Sequence, residues 1–473
     1  MRKKWILGIV FVLIIFLVYT IVNRMEFFKD PVNTDHGSTD SARKLPIPAL
    51  LVPFNSDANS SDYYLNVQQG TSRFFDGKST PTLGYNGSYL GPVLKVVRGQ
   101  EIRMHVTNEL QEETSIHWHG LEVDGTKDGG PHQVISAGAT WDPVFTINQP
   151  ASTLWFHPHV IGSTATQVYY GLAGLIIVED ENSMSLNLPD EYGVNDIPLI
   201  IQDRSFSQDG SFVYVNNMMD GAIGDYILVN GAITPSLDVE QTKMRFRIVN
   251  GANARNFDLR LSDYDEFAQI ASDGGLLEKP LLSDSLFISP GERVEIVIDF
   301  STYDEGEKIK LFSDNELIMT FVVGKETVDD TVIPEFLSII ERLDENQATN
   351  VKTIELDGMG HMVTLNGRTF DMDRIDDNVA LGDIEIWEIT TFRSMMMGNE
   401  GHPFHIHGTQ FQVLSRNGFE PFENEKGWKD TVFVRAGETV RIIVRFKYKG
   451  LFMYHCHILE HEEAGMMGQL EVE

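Results

Sequence analysis

The chain of 473 residues has a single cysteine, Cys456. It therefore has no internal disulfide, and a lone thiol is either a small buried apolar group or a reactive one. Basic residues are scarce: 37 Lys and Arg stand against 69 Asp and Glu, a net charge of −32. That balance excludes nucleic acid as a partner and suits attraction of cations. Long helical periodicity is nearly absent, with one short helix expected near residues 334–343. Otherwise the chain beyond about residue 44 reads as short β-rich runs broken by Gly, Asn, Asp and Pro, which points to an all-β fold. Long hydrophobic runs are missing too, except at residues 5–22, which are uncharged and mostly apolar behind Met1-Arg2-Lys3-Lys4. A helix of that length just spans a bilayer core, and the basic flank puts the N-terminus inside and the rest outside. No Ala-x-Ala-like cleavage site follows, so the run favours an uncleaved membrane anchor over a cleaved signal segment. Either way the remainder is extracytoplasmic. Residues 23–49 read as a linker, polar and aperiodic over most of its length.

Two markers recur at one period. Leu94, Leu237 and Leu381 sit in similar segments 143 and 144 residues apart. Ile135-Ser136-Ala137-Gly138, Ile288-Ser289-Pro290-Gly291 and Val434-Arg435-Ala436-Gly437 repeat in step with them, and a strand pattern follows each. Three repeated β domains are implied, and many short strands in domains of this size predict sandwiches. The expected limits are residues 50–185, 195–328 and 350–473.

Cys456 stands between His455 and His457, with His461 five positions on and Met466 ten positions on. A thiolate, an imidazole and a weak thioether supply most of a blue-copper site. The apolar run at 451–454 suggests that the cysteine ends a strand, where side chains alternate between faces. Cys456 would then face one way, and His455 and His457 the other. One backbone segment would hold a copper on one face and a pair on the other, a single peptide unit apart. Of fourteen histidines, ten fall into four clusters: His117-Trp118-His119, His157-Pro158-His159, His402-Pro403-Phe404-His405-Ile406-His407 and the terminal run. The middle domain has none. The clusters match pairwise between domains one and three, so these two are expected to face each other, each giving four imidazoles. Eight imidazoles are too many for one metal and suit three. A closed, four-coordinate structural zinc site fits this set poorly. His36, His105, His132 and His361 fall outside the pairs and read as structural or solvated.

These motifs resemble those of the multicopper oxidases, the family of laccases, ascorbate oxidase and bacterial cuprous oxidases, over about residues 50–473. The resemblance implies three cupredoxin-like Greek-key sandwiches and four copper ions. His402, Cys456 and His461, with Met466 axial, would bind the type 1 copper; His117 and His405 the type 2. His119, His157 and His457 would bind one type 3 copper, and His159, His407 and His455 the other. It also implies oxidation of a small reducing substrate, a phenol or a metal ion, with dioxygen reduced to water. Asp128-Gly129-Gly130-Pro131, Gly427-Trp428-Lys429-Asp430-Thr431 and the terminal run look most like the periplasmic cuprous oxidases. In that group carboxylates at the positions of Asp128 and Glu462 serve the protons. The chemistry agrees, because oxygen reduction takes four protons and acids near the metal must relay them. The plain alternatives are a turn residue for Asp128 and a solvated charge for Glu462.

One departure stands out: the methionine-rich insertion of the cuprous oxidases is missing. Met359, Met362 and Met395-Met396-Met397 remain. They either fill core or offer thioethers to cuprous ion. Glu400 binds a cation, orients a phenol, or is a solvated charge. Two rivals are a copper nitrite reductase, normally with two domains per chain, and a non-enzymatic copper-storage or assembly protein. Three domains argue against the first, and an undiminished ligand set against the second.

Overall fold

A computed structural model describes residues 43–57, 59–217, 219–358, 362–391 and 401–473. The apolar run 5–22 lies outside the described residues. Among those described, no helix is long and apolar enough to cross a membrane.

The described residues form three sandwiches. The first faces a six-stranded sheet with a three-stranded one, the second a seven-stranded with a five-stranded, and the third two of five strands. Period-two patterning explains why: in strand Ser60–Ser72, Ser61, Tyr63, Leu65 and Val67 turn inward and their neighbours do not, as pleating requires. Each sandwich closes on its own core, built around Leu65 and Trp118, around Phe246 and Phe321, and around Trp387, Phe404 and Cys456.

The repeat markers take equivalent places. Leu94 pairs in parallel with Ile176, and Leu237 with Phe321. In the third sandwich Val379 pairs in parallel with Val472, and the Leu381 amide donates to the Glu473 carbonyl at 2.9 Å. Each marker thus docks the chain beside the last strand of its own sandwich. The second markers place Gly138, Gly291 and Gly437 at φ of +76°, +86° and +76°, in turns that feed the next strands, such as Arg293–Asp299 and Thr439–Arg445.

The helix expected at residues 334–343 does not form. The Leu337 amide donates to the Glu278 carbonyl at 2.9 Å, and the Leu343 amide to Gln412 Oε1 at 3.0 Å. The flanking sheets therefore take donors that a helical ladder would need. Leu337, Ile340 and Leu343 are buried at intervals of three while Ile339 is exposed, a spacing that imitates a helical face. A helix does form at Thr164–Tyr170. Its Ala165 and Val168 pack on Leu459, in the short helix Leu459–Glu463, and tie domain one to the terminal histidine segment.

Candidate metal centre

Strand alternation sorts the terminal ligand types as the pattern requires. Strand Gly450–Cys456 turns Cys456 into the core of the third sandwich, beside Phe404 and Met466. Strand Gly401–Ile406 lies next to it, with Phe404 opposite Cys456 and His405 opposite His455. His402 and His405, three apart, fall on opposite faces. His402 Nδ1 lies 3.3 Å from Cys456 Sγ, and His461 Nδ1 lies 3.8 Å from it. Met466 is fully buried, and its carbonyl accepts from the Cys456 amide at 3.1 Å.

On the other face eight histidines from domains one and three converge. His117 stacks on His407 and His119 on His405, each with centroids 3.7 Å apart. Donor nitrogens within 4.8 Å of one another group as His117, His119 and His405; as His119, His157 and His457; and as His159, His407 and His455. His402, Cys456 and His461 form a further group. All ten rings are buried. Burial holds His119, His157, His159, His405, His407 and His457 well below the usual imidazole range, and brings His402 and His455 down to about 3. These eight rings are thus neutral, the form that ligates metal.

The hydrogen bonds decide which nitrogen is bare. His157 and His455 donate from Nδ1 to the carbonyls of Pro158 and Cys456 at 2.9 and 3.0 Å. His405 donates from Nδ1 to the Asp430 carbonyl at 2.8 Å, and His407 from Nδ1 to Asp128 Oδ2 at 2.8 Å. Their Nε2 atoms are left to face the centre. His119 is reversed: Nε2 donates to Asp430 Oδ1 at 3.0 Å, and Nδ1 lies 3.4 Å from His157 Nε2. Among the described residues, neither ring nitrogen of buried His457 has a hydrogen-bond partner. Bare nitrogens aimed at each other, an orphaned imidazole and a thiol among imidazoles fit soft, imidazole-binding metal ions such as copper. Burial pushes the Cys456 thiol up, and a bound cation reverses that preference by favouring thiolate.

Asp128 and Glu462 are both buried. Asp128 Oδ2 also lies 3.3 Å from His117 Nδ1. Its turn needs Gly129, at φ +83°, where a Cβ would stand 1.7 Å from the Ile116 carbonyl oxygen. Glu462 lies 3.5 Å from His159 Nδ1 and 3.4 Å from His455 Nδ1. Burial raises its carboxyl well above the ordinary range, so it is not a solvated charge. His105 rests 2.6 Å from Asp142 and stacks on Tyr64, and His132 Nε2 meets Gln469 Oε1 at 2.8 Å. Neither joins the clusters. Met362 is 73% exposed and fills no core. His36, His361, Met359, Met395, Met396, Met397 and Glu400 lie outside the described residues.

Sequence reasoning assigned no role to Asp430, Thr431 or Arg293. The polar triplet Lys429-Asp430-Thr431 ahead of an apolar strand was the available signal. Arg293 had none, since its partner Asp430 is 137 positions away.

Family models described as multicopper oxidase match residues 66–183, 199–307 and 342–473. The chain is 42% identical to the multicopper oxidase mco of Staphylococcus aureus, over 92% of this chain and 94% of the relative. It is 33% identical to the cell division protein FtsP of Escherichia coli, over 90% and 92%. Among solved structures, a laccase from Pediococcus acidilactici aligns with TM-score 0.88 and 41% identity, covering 92% of this chain and 94% of that one. A metallo-oxidase from Campylobacter jejuni aligns with TM-score 0.80 and 30% identity, covering 91% and 95%.

Replacing Cys456 by serine keeps the volume but exchanges a soft ligand for a hard one. The purified Cys456→Ser protein should lose the intense visible absorption and the copper held beside His402 and His461, and keep copper in the histidine cluster. A Cys456→Ser protein that stays blue overturns this assignment.

Proposed function

The chain belongs to the multicopper oxidase family, and on that premise we propose which residues serve each copper. His402, Cys456, His461 and Met466 would hold the type 1 copper. His117 and His405 hold the type 2. His119, His157 and His457 hold one type 3 copper, and His159, His407 and His455 the other. The grouping of these donor nitrogens supports the reading. The observation that carries it is the junction at Cys456, where one strand end joins a thiol on one face to buried imidazoles on the other.

The enzyme couples one-electron oxidation of a reducing substrate to four-electron reduction of dioxygen to water. Copper, when bound, supplies the one-electron steps and the site of oxygen reduction. The protein supplies position and protons. The backbone between Cys456 and its two histidine neighbours makes the shortest covalent link between the two centres. Asp128, against His117 and His407, and Glu462, against His159 and His455, flank the histidine cluster as proton donors. The Glu462→Gln variant keeps the shape and removes the proton. It should slow oxygen reduction by roughly 10²–10⁴-fold, the usual contribution of a positioned acid, while reduction of the blue copper by substrate stays fast. Stopped-flow measurement of the two half-reactions checks it; equal rates in both remove Glu462 from the mechanism.

The substrates are phenols and small metal ions, cuprous ion among them. His402 is slightly exposed and His461 fully buried, which favours electron delivery at His402 and the chain just before it. Met395, Met396 and Met397 precede His402 and offer thioethers to cuprous ion, while the missing insertion leaves room for phenols. Oxygen uptake should fall for cuprous ion relative to phenols when the three methionines become leucine, a change that keeps volume. Unchanged rates for both would make the triplet mere packing.

Residues 5–22 anchor the enzyme to the membrane with its domains outside the cytoplasm, a reading supported by their length and basic flank. The mature protein should retain these residues and sediment with membranes. A mature N-terminus beyond residue 22 overturns the anchor.

A further inference from the structure

The second domain contributes no histidine, yet two of its residues reach the histidine cluster. Gly291 lies so close to the His457 ring that a Cβ there would stand 2.9 Å from it. Arg293, two positions on, is fully buried. Its guanidinium forks onto Asp430 of the third domain: Nη1 donates to Oδ1 at 2.6 Å, and Nη2 donates to Oδ2. The remaining donors are also taken. Nη1 reaches the Gly291 carbonyl at 2.9 Å, Nη2 the Asp273 carbonyl at 3.3 Å, and Nε the Thr153 carbonyl at 3.2 Å.

Asp430 is held as completely from its own side. Its Oδ1 accepts from the Thr431 hydroxyl at 2.9 Å, and its Oδ2 from Gln410 Nε2 at 2.8 Å. What Oδ1 then presents, at 3.0 Å, is an acceptor for Nε2 of His119 in the first domain. One carboxylate is shared by all three domains. The interaction fixes the His119 proton on Nε2, the reverse of His157, His405, His407 and His455, which donate from Nδ1.

We propose that Arg293 is a positioning residue for the copper cluster: it locks the plane of the Asp430 carboxylate, which holds His119 in the tautomer that offers Nδ1 to metal. The proposal rests on the ligand reading above, in which His119, His157 and His457 share one copper. A planar guanidinium pins both oxygens of a carboxylate at once, whereas a lysine ammonium is a point charge that leaves the carboxylate free to turn. A turned Asp430 would free His119 Nε2, and the ring would no longer be committed to Nδ1. The histidine-free domain thereby governs the chemistry of a centre to which it gives no ligand.

The test uses the full-length copper enzyme and an Arg293→Lys variant. Partners that orient a metal ligand typically contribute 10–100-fold to affinity. Copper held by the His119, His157 and His457 group should therefore weaken roughly 10–100-fold in a chelator titration. The resonance spectrum of the cluster copper should change, and the visible absorption of the Cys456 centre should not. Arg416→Lys is the control: Arg416 is also buried, donates to Glu425 and Glu438 in the third domain, and meets no histidine among the described residues. It should lower the melting midpoint and leave copper affinity and spectrum alone. If Arg293→Lys does not accumulate, Arg293→Gln, which keeps a planar donor without the charge, is titrated in its place with the same expectation. Parental copper affinity and spectrum in the Arg293 variant, whatever its melting midpoint, overturn the proposal alone. A parent enzyme that binds no copper in the cluster overturns the ligand reading and the proposal with it.

Discussion

Eight imidazoles buried in one place cannot all carry charge, and each neutral ring must hide one N–H and expose one bare nitrogen. Every other feature of the centre follows from that constraint. Water cannot hydrate the rings, which are at most 1% exposed, so an N–H calls for a protein acceptor, and His457, which has none among the described residues, is the exception. The acceptors are of two kinds. Main-chain carbonyls of Pro158 and Cys456 come from the residue next to the histidine they serve, and that of Asp430 from the turn before strand Thr431–Arg435. The carboxylates of Asp128 and Asp430 come from turns elsewhere in the chain. Bare nitrogens left 3.0 to 3.5 Å apart repel one another through their lone pairs, and a cation among them removes the conflict.

The three domains divide this work unequally. Domains one and three bring four imidazoles each. Domain two brings a charged network: Asp273, Glu292 and Arg293 meet Lys429 and Asp430 of domain three, all buried. Burial raises the Asp273 carboxyl above the usual carboxylate range even beside Lys429 and Arg293. A network of this kind gains little net stability, because desolvation offsets the attraction. What it gives is orientation, since every member has defined partners. That suits a centre whose ring tautomers must be set before metal arrives.

Much of this was legible beforehand. Period-two burial in strands such as Ser60–Ser72 follows from side-chain alternation, which is local. The three-fold repeat was visible because each sandwich needs the same edge strand beside its last strand, and the marker leucines occupy it in the first two. The segment 334–343 misled because buried residues every third position arise in an extended chain lying across two sheets as well as in a helix. Local pattern cannot distinguish the two when the hydrogen-bond partners, Glu278 and Gln412, are far away in the chain.

The sequence by itself determined the ligand types and their division between two faces. His-Cys-His at a strand end separates a thiol from imidazoles by pleating alone, and soft ligands in that set select the metal class. Only the tertiary structure decided which nitrogen is bare on the rings whose partners are remote. His157 and His455 donate to the next carbonyl in the chain, but the partners of His407 and His119 lie far off: His407 and Asp128 are 279 positions apart, His119 and Asp430 311, and Arg293 and Asp430 137. A tautomer is set by a hydrogen bond, and a hydrogen bond between remote residues exists only once the domains have closed on one another.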